Sequence, residues 1–547
     1  MSQTEVPTAE NAPPERPDSI WKPLTIPIFR RLWLVSLTAN VCMAMSDVAA
    51  AWMMTTLTTS PAMIALVQTA ATLPIFLLGL PSGAFADIVD RRRYLITTQF
   101  WVAGVGLLLC LLTLAGALSA PLLLILVFAN GIGLAMRWPV FAALVPELVP
   151  RALLPNALGV NGISMNASRI LGPTIAGAII AAVGSQYVFL LNAVLSLVAA
   201  LALLRWRRQQ KVSALPAERF FGALRVGLQY VRQSPQLHVI FLRITLFFLF
   251  STALTALLPL EAKRLPGGGA GTFTLLLVLM GSGAIIAMVN LPRLRKYMNR
   301  EQLVRNGTVL QAAATALVAL SPNVYFAAPA MLAAGMGWIT VANSLTVSAQ
   351  LALPDWVKAR GMSVYQMTMM GGAAVGAALW GQIANHSSVA TSMLIAAAGA
   401  VISLLLMTRL PISANARDDD DLTPIHVWSQ PELAFPILPD QGPIVVTITY
   451  SIDPARHDEF VVLMEASRRS RLRNGALSWG LFRDMSEGSR YVEYFTDESW
   501  VEYLRRQERM TAADIALRDQ RLSFHLGSEP PVVARFVAEP TGTTRSA

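Results

Sequence analysis

Twelve stretches of this chain are each long and apolar enough to cross a bilayer as a helix, and that one feature leaves few architectures open. "LWLVSLTANVCMAMSDVAAAWMMTTL" and "QYVFLLNAVLSLVAALALL" show the pattern. Each matches the roughly 20 residues needed to cover a hydrocarbon core. The spans read at 32–57, 62–86, 94–118, 121–146, 156–183, 186–205, 238–260, 272–292, 302–320, 324–351, 360–384 and 388–409. Only 14% of the residues are charged, against roughly 25% in a soluble protein, so most of the chain is not built to face water.

The connectors alternate in charge. "TTSP", "SAP", "GSQ", "SPN" and "HSS" lack Lys and Arg, whereas the intervening ones hold Arg91 to Arg93, Arg151, Arg293, Arg295, Lys296, Lys358 and Arg360. This asymmetry predicts that the basic set and both termini are cytoplasmic. The net charge of +10 is then a membrane signature and not a nucleic-acid footprint. Lys263 and Arg264, read as a loop after the seventh span, break the rule. Residues 1–31 lack the apolar core of a signal peptide and read as a cytoplasmic tail. Cys42 and Cys110 are the only cysteines and both fall in spans, so no disulfide framework, metal site or cofactor is expected.

Shifting the sequence by 204 positions aligns Arg91 with Arg295, Gly131 with Gly335, Gly133 with Gly337, Pro150 with Pro354, Gly172 with Gly376 and Gly177 with Gly381, without a gap. Six spans repeated in the same orientation imply parallel repeats about an axis along the membrane normal. The halves are 32–205 and 238–410, joined by a basic, partly amphipathic linker at 206–237 that reads as a tether on an anionic membrane surface. A proline- and acid-rich linker at 411–442 leads to a soluble region, 443–540. "IVVTITY" alternates like a strand, and "DPARHDEFVVLMEASRRSRLRNG" has helical spacing and a terminal glycine. The order β-α-β-β-α-β predicts a ferredoxin-like α+β domain on an all-α membrane protein.

The first basic connector, "GAFADIVDRRR", resembles the loop motif of the major facilitator superfamily through Gly83, Asp87, Arg91 and Arg92, with Ile88 and Asp90 departing from it. An Asp followed by arginines there is similar to the branch containing the bacterial enterobactin exporter. The resemblance covers residues 30–410 and implies a twelve-helix fold that moves a small molecule by alternating access. Gly83 would permit close helix contact. Asp87 would sit near the N-terminus of the eleventh span, where the helix dipole favours an anion, and the arginines would hold acidic residues of a neighbour as a conformational latch. "NASRILGPTIAGAI" resembles the antiporter motif of the family's exporters through Gly172, Pro173 and Gly177, small residues suited to a tight crossing against the other half.

Ionisable residues inside a membrane are costly and point to function. Counted at about 1.5 Å per residue, Asp47 and Arg169 lie roughly 20 Å deep and Arg137 about 15 Å. An Asp47–Arg137 pair would carry proton coupling, or would be a static buried pair that fixes packing. Arg137 also resembles the helix-four arginine of drug antiporters. Arg243, near the start of span seven, is expected to snorkel to the surface. Trp138, Trp338, Trp380 and the methionines of "SVYQMTMMGG" read as core or lipid-facing residues ahead of a cavity lining.

The soluble region is similar in layout to the antibiotic-biosynthesis-monooxygenase-like domains. Its candidates for chemistry, His457, His525 and Trp479, show no ligand spacing or nucleophile-base pairing, which favours accessory binding or dimerisation over catalysis. The expectation is an exporter of an amphipathic siderophore or drug-like molecule by proton antiport. An importer of the same fold and a membrane-tethered enzyme are the alternatives.

Overall fold

The computed structural model describes residues 21–88, 90–150, 153–205, 220–409 and 433–539. The first half comprises α1 (Pro27–Leu57), α2 (Pro61–Ile88), α3 (Arg91–Leu114), α4 (Ala120–Leu148), α5 (Leu154–Ala182) and α6 (Ser185–Leu204). A short amphipathic α7 (Phe220–Arg232) precedes α8 (Pro235–Arg264), α9 (Ala270–Tyr297), α10 (Arg300–Leu320), α11 (Val324–Leu351), α12 (Asp355–His386) and α13 (Val389–Met407). Among the described residues ten helices are long and apolar enough to cross a membrane. Helices α5 and α12 are as long, at 29 and 32 residues, but are not among those ten. Local chemistry sets the boundaries: Asn299 caps α10 in a capping box, Asn323 caps α11, and Gly184 at φ 102° turns the chain from α5 into α6. Asp90, which replaces the motif's glycine, accepts the Arg93 N–H at 2.9 Å and caps α3.

The glycine register has a packing cause. A Cβ at Gly131 would meet the Ala71 carbonyl of α2, and one at Gly335 the Met280 carbonyl of α9. Gly133 and Gly337 lie against α3 and α10, and Gly172 and Gly376 against Ala44 of α1 and Leu249 of α8. The last pair works between the halves: Gly177 of α5 meets Thr274 of α9, and Gly381 of α12 meets Ala62 and Ala65 of α2. Each pair occupies the same place in its own half, and the two crossings exchange under a two-fold. The repeat is therefore a property of close helix contact, which only glycine permits at these points.

The two ends of the helical body differ. At the end bearing "TTSP" and "HSS", one continuous core draws on both halves, from Met45, Ala49 and Met54 to Leu254, Leu258, Phe273, Met331 and Trp380. At the basic end the described residues form two clusters: Leu32, Tyr94, Leu95 and Leu144 pack in the first half, and Tyr230, Phe241, Leu345 and Tyr365 in the second.

The C-terminal region folds as β1 (Ile444–Ser451), α14 (His457–Arg473), β2 (Ser478–Arg483), β3 (Arg490–Asp497), α15 (Trp500–Glu508), α16 (Ala512–Leu522) and β4 (Val532–Val537). The sheet order is β2-β3-β1-β4, antiparallel throughout. The second helix of the expected pattern is broken in two, because Thr511 and Asp514 form a capping box that starts α16. Beneath the sheet, buried Glu493 accepts from Arg471, Trp479, Tyr450 and Ser467, with the Arg521 guanidinium at 3.8 Å. Burial works to raise the Glu493 pKa, but the Arg471 and Arg521 guanidiniums outweigh it and hold the carboxyl down at about 2.

The linker helix α7 does more than lie on a surface. Arg225 pairs with Glu498 at 2.6 Å, Gln229 donates to the Ala476 carbonyl at 2.7 Å, and Val226 and Tyr230 are buried. Arg509 stacks over Trp356 in the first turn of α12, 4.8 Å from the ring centroid. The reading of 206–237 as a membrane tether is thereby corrected over α7: its contacts join the sheet domain to the second half.

Candidate functional site

Helices α1, α4 and α5 bring the three intramembrane ionisable residues to the middle of the first half. Arg137 Nη2 donates to Asn40 Oδ1 at 2.9 Å. The expected Asp47–Arg137 ion pair is not formed; Asp47 is half-buried, and among the described residues it has no hydrogen-bond or ion-pair partner. An amide therefore serves where a carboxylate was expected, and among the described residues Asp47 has no counter-charge. Arg137 also borders a polar cavity of about 20 Å³ between α1, α3, α4 and α6, with Gln99, Asn130, Asn192 and Ser196 on its wall. That is room for about one water molecule. A cleft of about 10 Å³ between α8, α10 and α13 occupies the repeat-related place, and there Asn192 and Ser196 have become Ala396 and Ala400.

Arg169, midway along α5, keeps an exposed side chain. Its guanidinium lies 4.3 Å from the ring centroid of Trp338, midway along α11 in the other half. Trp338 in turn packs edge-on against Phe248 of α8. In the antiporter-type motif, Pro173 lies inside α5, Gly172 packs within its own half and Gly177 meets the other half.

Of the latch residues, the side chains of Gly83, Asp87 and Arg91 lie outside the described residues. Arg92 donates to the carbonyls of Leu203 and Leu204, at 3.3 and 2.5 Å. It caps the C-terminus of α6 in its own half, where the helix dipole favours a cation, and among the described residues it pairs with no acid. Along the α2–α12 seam, contact between the halves runs from Ser60–Asn385 through Thr69 and the Ala374 carbonyl to Gly79 and Met367.

The two residues that broke the charge rule lie on the last turn of α8, not in a loop. Lys263 crosses to the first half, donating to the Thr55 carbonyl at 2.5 Å near the end of α1 and lying over Trp52, which stacks on Phe273. Arg264 pairs with buried Glu261 and donates to the carbonyls of Ala319 and Ser321 at the end of α10. Both cations serve helix C-termini, so their position answers to local dipoles. Arg243 does not snorkel: it is buried, pairs with Glu301 at 2.7 Å and donates to the Met407 carbonyl, tying α8, α10 and α13 together. Sequence periodicity had no means of finding these long-range partners, although the charge exception at 263 and 264 was a usable signal. Trp380 is core, donating to the Leu249 carbonyl, and the side chain of Trp138 lies outside the described residues.

In the sheet domain, His457 bonds the Tyr491 hydroxyl, His525 accepts the Ser451 N–H, and Trp479 donates to Glu493. These bonds secure the domain and assemble no acid-base constellation among the described residues. No cluster of metal-ligating side chains occurs among the described residues either.

A helical membrane body of two related halves, sharing one core at one end and holding separate clusters of described residues at the other, with charge at mid-span, defines a multi-pass membrane transporter of the major facilitator type. The family described as "Transmembrane secretion effector" matches residues 18–542, sheet domain included, and the chain belongs to it. The staphyloferrin A transporter of Staphylococcus aureus is 29% identical over 232 residues, 41% of this chain and 57% of that protein, so the chain spans little more than half of its length. Macrolide efflux protein A of Streptococcus pyogenes is 21% identical over 301 residues, 54% of this chain and 74% of that protein. Among solved structures, the nucleoside transporter NupG superposes with a TM-score of 0.57 at 12% identity, over 70% of this chain and 100% of that one. A bacterial homologue of the lysosomal transporter Spinster, in an inward-facing and occupied conformation, gives 0.57 at 14%, over 72% and 98%. These likenesses mark a transporter fold and not an enzyme.

Proposed function

We propose that the protein exports an amphipathic small molecule, siderophore or drug-like, by proton antiport across a bacterial inner membrane, with both termini cytoplasmic. The observation that carries this reading is the contrast between the ends: one shared core opposite the basic loops, separate cores beside them, and Asp47, Arg137 and Arg169 midway. With the basic loops in the cytoplasm, the conformation is inward-open and ready to load from inside. In this reading α5 and α12 cross the membrane with the other ten helices, making twelve. Asp47 carries the proton, and Arg137 and Arg169 are the other intramembrane charges that take part in coupling. The turn holding Gly83, Asp87, Arg91 and Arg92 latches the inner side closed in the opposite state, and Gly172, Pro173 and Gly177 keep the crossing tight. The names of the relatives, a staphyloferrin A transporter and a macrolide efflux protein, support the substrate class.

The sheet order supports a ferredoxin-like domain. Its outer face exposes Phe482, Val532 and Phe536, an apolar surface suited to a second copy of the domain. The test is flux in proteoliposomes with an imposed pH gradient, screened over siderophores and macrolides. Substrate movement against proton entry, abolished by collapsing the gradient, is the expected result. Gradient-independent flux, or uptake in the loading direction, overturns proton-driven export.

A further inference from the structure

The charge count around the middle of the first half does not balance. Among the described residues, Asp47, Arg137 and Arg169 form no ion pair with one another or with any other side chain. Arg137 has its amide partner. Among the described residues Arg169 has only the face of Trp338, although it is exposed midway along a membrane helix, where a bare guanidinium is costly. A ring face steadies a guanidinium by cation–π attraction but takes none of its N–H donors, so the planar fork remains available along its edge.

We propose that Arg169 and Trp338 form the recognition element for an anionic group on the substrate, which makes the cargo an amphipathic organic anion such as a carboxylate. The proposal rests on the transport reading and narrows it. The carboxylate takes the fork of Arg169 in a bidentate, charge-assisted contact. The apolar body of the substrate lies toward Trp338 and Phe248. Arg169 belongs to one half and Trp338 to the other, so rocking the halves separates the two parts of the element. Affinity is therefore high while they are apposed and lower once they part, which is what releases cargo on the far side.

The test compares two probes of nearly the same size and shape, the anionic 1-naphthoate and the neutral 1-naphthamide, bound to the purified full-length protein in nanodiscs without any gradient. Wild type is expected to hold the naphthoate at least about tenfold more tightly than the amide. Arg169→Gln is expected to erase that preference while keeping affinity for the amide, Arg169→Lys to retain part of it, and Trp338→Phe to weaken both probes. Equal affinity of wild type for the two probes, absence of saturable naphthoate binding, or a preference that survives in Arg169→Gln overturns the proposal. Because no flux is measured, failed proton coupling leaves this outcome readable, and an absent charge preference leaves the transport reading standing.

Discussion

The two membrane halves share a glycine scaffold and almost nothing of its chemistry. At the 204-residue shift the glycines coincide, yet Asp47, Arg137 and Arg169 become Ser251, Val341 and Ala373, and Asn40 becomes Ile244. The second half instead carries the attachment of the sheet domain, through α7 and Trp356. Duplication thus supplied a symmetric frame, and the halves divided the work: mid-membrane charge in one, the soluble appendage on the other. Close packing constrains backbone-contact positions in both copies, whereas a buried charge is retained only where something is gained from it.

The sharpest way to break this comparison is to exchange charge for amide in one copy and remove the hydroxyl in the other. Asp47→Asn is expected to abolish pH-driven flux in proteoliposomes, while Ser251→Ala at the matching position leaves it near wild type. A second blow falls on the symmetric frame. Gly177→Leu and Gly381→Leu should each destabilise the shared core by about 1–3 kcal/mol and depress flux to similar extents, read by thermal unfolding and transport. A large disparity between them would show that the crossings are not equivalent.

Smaller effects sharpen the picture of the appendage and of the closed end. Glu493→Gln leaves Arg471 and Arg521 without their carboxylate and should cost the sheet domain about 3 kcal/mol at neutral pH, followed in the full chain by Trp479 fluorescence. The Glu493 pKa is depressed in the folded state, so its stabilisation is fully present above the unfolded value of 4.5 and lost as pH falls toward about 2. Wild type should therefore lose domain stability across that acid window, and the Gln variant should lack this limb. Least of all, Lys263→Met should cost about 0.5 kcal/mol at the α1 C-terminus and modestly raise the labelling rate of a cysteine placed at Ser60. An unchanged rate would remove Lys263 from the closure.

Much of this architecture was legible in the residues, because it is written locally. Apolar runs of membrane length located the long helices, and alternation followed by helical spacing gave the order of elements around Ile444 and Phe460. The glycine register revealed the repeat, and the motif around Gly177 pointed to one crossing between the halves; the crossing at Gly381 came from the coordinates. What escaped was non-local. The partnership of Arg243 with Glu301 spans 58 residues, and that of Arg169 with Trp338 joins two halves, so neither leaves a periodic trace. Arg137 went to an amide and not to Asp47 because Asn40 is the residue level with it: Asn40 and Asp47 share a face of α1 but stand about 10 Å apart along its axis, a register between helices that composition does not encode. The amphipathic face of α7 was visible, but an apolar stripe does not say whether lipid or protein covers it.

The attachment of the sheet domain has a mechanical consequence. The contacts named above between it and the membrane body, from Arg225 to Trp356, fall on α7 and the opening turn of α12. The domain is thus fastened like a handle to one jaw of a pair of pliers. Anything that grasps the handle applies torque to that jaw alone, and so acts on the gap between the two without entering the bilayer.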